Sequence, residues 1–187
     1  MNVYQEVTLL PDLISTSNFL WKRVFPQVHL ALVEMKGVVG ISFPEYRDKW
    51  LGNKLRVFAE SDMQLDQLNL RHWLRFFADY THVTSIRQLP VSVRYARYRR
   101  IQVKTNKERL ARRRAVRHNL SYEQALKDYD NFIEPRLTLP YINMKSVSAG
   151  VEFKLFISKE LVPGLDKAGF TSYGLSSRNK WSSVPEF

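Results

Sequence analysis

The sequence predicts an α+β fold in two parts, and three observations predict it. Short apolar or alternating runs recur between longer stretches of helical periodicity, so strands and helices are mixed along one chain. With 44% hydrophobic and 13% aromatic residues, and only seven glycines and eight prolines in 187 residues, the chain can bury a core and escapes the composition of disorder. Charge is localised as well: residues 94–118, RYARYRRIQVKTNKERLARRRAVRH, hold nine arginines and two lysines against one glutamate, a formal +10 within a chain of +11. This change of texture sets the expected organisation, one domain at 1–95 and a second region at 96–187.

Residues 3–10, VYQEVTLL, read as the first strand. Over residues 17–36, Leu20, Val24, Val28, Ala31, Leu32 and Met35 recur at helical spacing, with Ser17 as the expected cap. Pro26 should kink that helix or restart it before His29. VVGISF and KLRVFA follow as two strands, and residues 62–80 carry one or two helical pieces rich in Leu, Trp and Phe. VTSIRQLP reads as a strand that stops at Pro90. Strand, helix, strand, strand, helix, strand is the order of a ferredoxin-like domain, although another α+β topology also accommodates these lengths.

Beyond residue 90 the elements are of another kind. VSVRYARYRRIQVK alternates as an extended segment, with Arg94, Arg100 and Gln102 on one parity and Arg97, Arg99 and Val103 on the other. Thr105 and Glu108 have capping-box spacing, and KERLARRRAVRH is built from good helix formers. At about 100° per residue, Arg109, Arg112, Arg113 and Arg117 cover one broad side, Arg114 lies nearby, and no wide apolar stripe forms. Ser121 with Gln124 caps a further helix at roughly 122–132; YINMKSV and EFKLFIS pair through a turn at Ser148, Ala149 and Gly150; the remainder is loops or a short terminal strand.

Composition excludes several classes of function. No apolar run approaches the roughly 20 residues that span a bilayer, and the N-terminus lacks a basic leader followed by an apolar core, so a cytoplasmic protein without membrane association is expected. Zero cysteines rule out disulfides and thiolate metal sites, and His29, His72, His82 and His118 lack zinc-hydrolase spacing, so no metal or other cofactor is expected.

The expected partner is polyanionic. Five arginines within nine residues repel one another, at about 0.2–0.5 kcal/mol per like-charged pair one turn apart, and a bound polyanion offsets that cost. Solubility alone and an acidic protein partner are the competing explanations. Arginine makes paired contacts to phosphate oxygens or to the O6 and N7 of guanine, so both a DNA major groove and the more open groove near the end of an RNA hairpin are compatible targets. Arg100 and Gln102, facing the same way just before the helix, are suited to reading base edges. His118 closes the helix, where it can bind phosphate or stabilise the C-terminus.

Chemistry has few candidate residues. His29 lies beside an apolar helical stripe and is the simplest general base near neutral pH, although a structural histidine fits the same position. KSVSAG places the hydroxyls of Ser146 and Ser148 on one side of a strand, but no G-x-S-x-G elbow accompanies them. Metal-free RNA cleavage needs less than acyl transfer: a base for the 2'-hydroxyl proton, a group that holds that hydroxyl in line, and donors for developing charge.

Four segments in order, FPQVHLAL, RIQVKTNKERLARRR, LPYINMKSVSAGVEFKLFI and GFTSYGLS, give the chain its most specific signature. Through them nearly the whole sequence resembles the endoribonuclease that processes precursor CRISPR RNA in type I-F systems, a divergent member of the CRISPR repeat-cleaving family. The resemblance implies a ferredoxin-like N-terminal domain and a second region whose arginine-rich helix enters the major groove of the repeat hairpin. It further implies that His29 takes the 2'-hydroxyl proton, that Ser146 holds the ribose with Ser148 nearby, and that Tyr173 orients His29. Arg100 and Gln102 correspond to readers of the lower stem, Phe153 to a residue stacking at its base, and Arg113 and Arg117 to backbone or groove contacts. Lys104, Arg109, Arg112, Arg114 and His118 complete the expected RNA-binding set.

The implied reaction is metal-independent transesterification at the 3' base of the stem. The protein is then expected to keep the mature guide RNA and join the backbone and other subunits of a surveillance complex, being a monomer outside it. Two departures from the resemblance stand out: Val116 occupies a position where the pattern has an arginine, and the family's aromatic C-terminal close is only partly kept, with Glu186 where an aromatic could stand. A catalytically inactive RNA-binding subunit of the same complex is the main alternative, and a helix-reading DNA-binding module is a third.

Overall fold

The computed structural model describes residues 1–102, 107–131, 137–146, 150–179 and 181–187. The described chain is a mixed α+β fold with two antiparallel sheets, and it divides into two compact units: residues 1–101 with 139–187, and residues 102–138.

The larger unit begins with β1 (Val3–Leu9), α1 (Ser17–Glu34), β2 (Gly40–Ser42) and β3 (Lys54–Ala59). Then come α2 (Asp62–Leu68), α3 (Leu70–Trp73), a 3-10 helix (Arg75–Tyr80), β4 (Thr81–Val83) and β5 (Arg87–Gln88). The first sheet has the order β2-β3-β1-β4, with β5 also on β1 and every pair antiparallel. β1 is therefore central, which explains why Val3, Val7 and Leu9 are all buried.

Three local differences from the sequence expectation have physical causes. Thr16, in extended conformation, caps α1 by accepting from the Phe19 amide, while Ser17 donates to the Asn53 side chain instead. The helical stretch after residue 62 is divided by Asn69, which is left-handed (φ 46°) and whose side chain accepts from the His72 amide to start α3. The expected strand VTSIRQLP becomes two short ones. Between them the Thr84 amide still donates to the Glu6 carbonyl, but the Glu6 amide donates to the Thr84 hydroxyl instead of to a backbone carbonyl, and that hydroxyl donates to the Ser85 carbonyl. Pro26 sits inside α1 without dividing it.

The same unit contains β6 (Arg94–Ile101), β7 (Tyr141–Lys145), β8 (Glu152–Val162) and β9 (Val184–Glu186), forming a second sheet in the order β7-β8-β6-β9. An aromatic series joins α1 to this sheet: Trp21 meets Phe43 edge-on at 5.7 Å, and Phe43 lies 6.0 Å from Tyr98 of β6. All three are almost fully buried, and their polar atoms are satisfied: Trp21 donates to the Gly52 carbonyl and Tyr98 to the Phe43 carbonyl. Each such ring contributes roughly 1.5–3 kcal/mol of burial free energy.

Glu186 and Phe187 are both used in packing the last residues. Glu186 is only 6% exposed, accepting from Lys159 and sharing the single Tyr98 hydroxyl proton with the Phe43 carbonyl, while Phe187 packs edge-on against Tyr4 and Phe58.

The smaller unit is a helical pair, α4 (Lys107–His118) and α5 (Tyr122–Lys127). The Ser121–Gln124 capping box is present on α5, which ends at Asp128, short of its expected extent. The expected Thr105 cap of α4 lies outside the described residues. Within α4 only Ala111 is buried, and within α5 only Ala125, so small side chains let the two helices meet. Lys107–Asp130 and Arg114–Asp128 ion pairs tie α4 to the residues that follow α5.

Candidate active site and basic helix

His29 sits in the last third of α1 at the border of its buried stripe, partly accessible, with Val28 and Ala31 beneath it in the core. Its Nδ1 lies 2.9 Å from the Ser172 carbonyl. A carbonyl only accepts, so Nδ1 carries the hydrogen and the lone pair of the neutral ring resides on Nε2. The imidazole stacks on Tyr173, with ring centroids 4.1 Å apart and planes 8° from parallel.

Partial burial pushes the His29 pKa below its ordinary value, and the Arg100 charge adds to that; the Ser172 hydrogen bond opposes both. The result is a neutral imidazole at neutral pH with one nitrogen anchored and the other able to take a proton.

The loop bearing Ser172 and Tyr173 is held in place by its own turn. The Thr171 amide donates to the Leu175 carbonyl, the Gly174 amide to the Thr171 carbonyl, and Ile41 of β2 donates to the Gly174 carbonyl. Gly174 has φ +69°, and a Cβ there would come within 2.7 Å of the Ile41 side chain, so this turn requires glycine.

Arg100 faces the same region from β6, on the parity of buried Ala96 and Tyr98. Its guanidinium carbon is 5.1 Å from the Phe153 ring centroid and 5.4 Å from that of Tyr173. Arg97 and Arg99 take the opposite parity. Arg97 is buried, bonded to Glu160 and Asp166 beneath the Trp181 ring, and Arg99 pairs with Glu160, so these two arginines are absorbed by packing.

Ser146 follows the last residue of β7, where its amide donates to the Val151 carbonyl and its carbonyl accepts from the Gly150 amide, closing the β7–β8 hairpin. α1 packs on β7, and Lys22 of α1 pairs with Glu152 at the start of β8. Ser148 and Lys104 lie outside the described residues. Gln102 is described and exposed.

On α4, Arg109, Arg112, Arg113, Arg114, Arg117 and His118 are all exposed. Arg112 pairs with Glu108 one turn earlier, and Arg114 is bonded to Asp128 at 2.5 Å. Arg114 is therefore drawn toward the end of α5 rather than toward the position of Val116, which is 87% exposed within the basic side. Arg113, Arg114, Arg117 and His118 line one shallow concavity of this unit with Leu110 and Tyr129.

The structure thus assembles His29, Tyr173, Arg100 and Phe153 in one contiguous group. It adds Ser172, which sequence reading missed because a backbone carbonyl acceptor leaves no side-chain signal. Among the described residues no group of three or more His, Cys, Asp or Glu side chains is placed to hold a metal ion, and no helix is long and apolar enough to cross a membrane.

Comparison with known proteins covers the whole chain. The family described as CRISPR-associated protein (Cas_Csy4) matches residues 4–187. The CRISPR-associated endonuclease Cas6/Csy4 of Pseudomonas aeruginosa (strain UCBPP-PA14) is 36% identical over 191 residues, with all of both chains covered. The protein of the same description from Escherichia coli (strain UTI89 / UPEC) is 34% identical over 189 residues, again across the full length of both.

Proposed function

The chain belongs to the Cas_Csy4 family of CRISPR-associated proteins, and from that premise we propose that it is a metal-independent endoribonuclease that matures precursor CRISPR RNA. It binds the repeat hairpin and cleaves at the 3' base of the stem. The observation that carries the reading is the His29 arrangement: Nδ1 fixed on the Ser172 carbonyl, the ring stacked on Tyr173, and a pKa below the ordinary histidine value.

His29 Nε2 takes the proton of the 2'-hydroxyl upstream of the scissile phosphate. The resulting oxygen attacks phosphorus in line, the P–O5' bond breaks, and O5' takes a proton from solvent, giving a 5'-hydroxyl and a 2',3'-cyclic phosphate, which water opens to the 3'-phosphate. Ser146, with Ser148 nearby on the same segment, holds the ribose for that attack, and Tyr173 keeps the imidazole plane in register.

Recognition is assigned to two surfaces. Arg100 and Gln102 read base edges of the lower stem while Phe153 stacks at its base. Arg109, Arg112, Arg113, Arg114, Arg117 and His118, with Lys104 before them, supply groove and phosphate contacts. An exposed arginine-rich helix with a single buried side chain supports this division better than a packing role does.

The sheet order β2-β3-β1-β4, with helices after β1 and β3, supports a ferredoxin-like domain at 1–95. The region 96–187 then carries hairpin recognition together with the serine-bearing segment. After cleavage the protein retains the guide RNA and enters a surveillance complex through contacts with its backbone and other subunits. It works in the cytoplasm and is a monomer until assembly.

The test is single-turnover cleavage of the repeat RNA in EDTA, alongside the same RNA with one 2'-deoxy sugar at the cut. Cleavage of the first and tight, uncut binding of the second is the expected result. Tight binding with neither RNA cut would replace this reading with that of an inactive RNA-binding subunit.

A further inference from the structure

One residue touches both the surface assigned to RNA reading and the aromatic support of the base. Arg100 reaches from β6 to the rings of Phe153 and Tyr173, and Tyr173 stacks on His29. Phe153, Arg100, Tyr173 and His29 therefore form one continuous series of side chains drawn from four separate parts of the chain. Arg100 Nε has no hydrogen-bond partner among the described residues, so within reach of its two rings the guanidinium is held at least partly by cation–π attraction.

Resting on the reading of His29 as the base, we propose that Arg100 is a positioning residue for catalysis as well as a reader of the hairpin. It fixes the Tyr173 ring on which His29 stacks, so that engagement of the lower stem is felt at the reacting imidazole. A base edge that takes hydrogen bonds from Arg100 alters the cation that Tyr173 rests against, without first breaking a bond at Nε. Cleavage is thereby tied to a correctly read stem rather than to affinity alone.

The electrostatics run the same way. Burial and the Arg100 charge both disfavour the imidazolium. The other charges on elements packed with α1 are engaged or turned elsewhere. Lys22 pairs with Glu152, Arg71 donates to the Val83 carbonyl, His72 contacts Arg75, Lys145 lies on the exposed parity of β7, and Asp62 and Asp66 are on the exposed side of α2. On α1 itself, Arg23 and Glu34 are more than 90° around the helix from His29 at about 100° per residue. The Tyr173 phenol and the Ser172 carbonyl complete its surroundings.

Two readouts separate positioning from reading. In RNA-free protein with isotope-labelled imidazoles, the His29 titration is followed by NMR in the wild type, Arg100→Gln and Arg100→Lys. The midpoint is expected to rise in Arg100→Gln and to stay near wild type in Arg100→Lys, which keeps the charge. An unmoved midpoint in a folded Arg100→Gln protein overturns the proposal.

In single-turnover cleavage at saturating protein, Arg100→Gln is expected to cut about tenfold more slowly or worse. A saturated rate equal to wild type, with only affinity lost, leaves Arg100 as a reader and overturns the positioning role. Should Arg100→Gln fail to fold, Arg100→Met, which keeps the aliphatic stem and removes the charge, replaces it in both readouts, with the same outcomes supporting or overturning the proposal. A protein that cuts no hairpin would defeat the functional reading, while the imidazole titration would still decide the coupling.

Discussion

The rings of His29 and Tyr173 lie 4.1 Å apart and 8° from parallel, a stack that fixes the imidazole plane while the Ser172 carbonyl fixes its tautomer. Two independent constraints on one side chain are what a base needs if its free nitrogen must meet a proton at a set position. Tyr173→Leu should therefore lower the saturated cleavage rate by about one to two orders of magnitude with little change in hairpin affinity. Tyr173→Phe keeps the ring and should cut at close to the wild-type rate. Equal rates for Tyr173→Leu and wild type would remove Tyr173 from this role.

His29→Ala should bind the hairpin nearly as well as the wild type and lose cleavage by at least about 10²–10⁴-fold, the usual worth of a general base. Filter binding and single-turnover kinetics on the same RNA measure the two effects. Equal loss of both would make His29 a binding residue. The pH dependence follows from the direction of its shift. Because the folded protein disfavours the imidazolium, the second-order rate constant, which reports the free protein, should hold its plateau down through neutrality. It should fall only below about pH 6.5, the ordinary histidine value.

Val116 stands exposed on a helix side otherwise held by Arg109, Arg112, Arg113 and Arg117. Arg114 is committed to Asp128 and does not substitute for a cation there. Val116→Arg should tighten hairpin binding at low salt and steepen the dependence of log affinity on log salt by up to about one unit, one added phosphate contact's worth. The new arginine lies one turn from Arg112 and Arg113, so melting temperature should drop slightly. An unchanged salt slope would show that this part of α4 does not face the RNA backbone.

How much of this was legible in the sequence depended on whether a side chain carried the signal. KLRVFA gives the exact span of β3, and Ser121 with Gln124 marks the start of α5, because periodicity and capping are written in residue types. Asn69 and Thr84 broke expected elements through side-chain bonds to backbone, which compete with regular structure only when tertiary neighbours permit. The resemblance named Tyr173 and Arg100 separately. Their contact could not be read, since it needs β6 and the 171–175 turn brought together in space. Ser172 was invisible for a simpler reason: it acts through its carbonyl, which any residue possesses.

Glu186 is a buried carboxylate with both oxygens in use. Its two oxygens accept from Tyr98 at 2.9 Å and Lys159 at 2.6 Å, with Lys159 itself largely buried. Glu186→Ala would leave the Lys159 ammonium without its carboxylate, while the Tyr98 hydroxyl keeps the Phe43 carbonyl, at a cost of about 3–5 kcal/mol in urea unfolding. Glu186→Gln keeps an acceptor for Tyr98 and should cost less. Indistinguishable losses would mean that packing, rather than the charge, sets the contribution.

Arg56 links the first sheet to the chain's end, donating from Nε to Glu6 at 2.8 Å and from a terminal nitrogen to the Phe187 carbonyl at 2.5 Å. Burial alone would raise the Glu6 pKa, but the bonds from Arg56 and Lys54 outweigh it and hold the carboxyl below its ordinary value. A depressed folded-state pKa means that the unfolded chain binds more protons in the interval between the two values, so stability rises with pH across it. The Glu6 contribution should be complete above the unfolded value of about 4.3 and should vanish as pH falls through the lower folded one. Glu6→Gln should consequently be less stable than wild type at pH 6 and lose less stability on acidification. Parallel stability curves for the two proteins between pH 6 and pH 3 would mean that Glu6 holds the C-terminus by shape, with its charge contributing nothing.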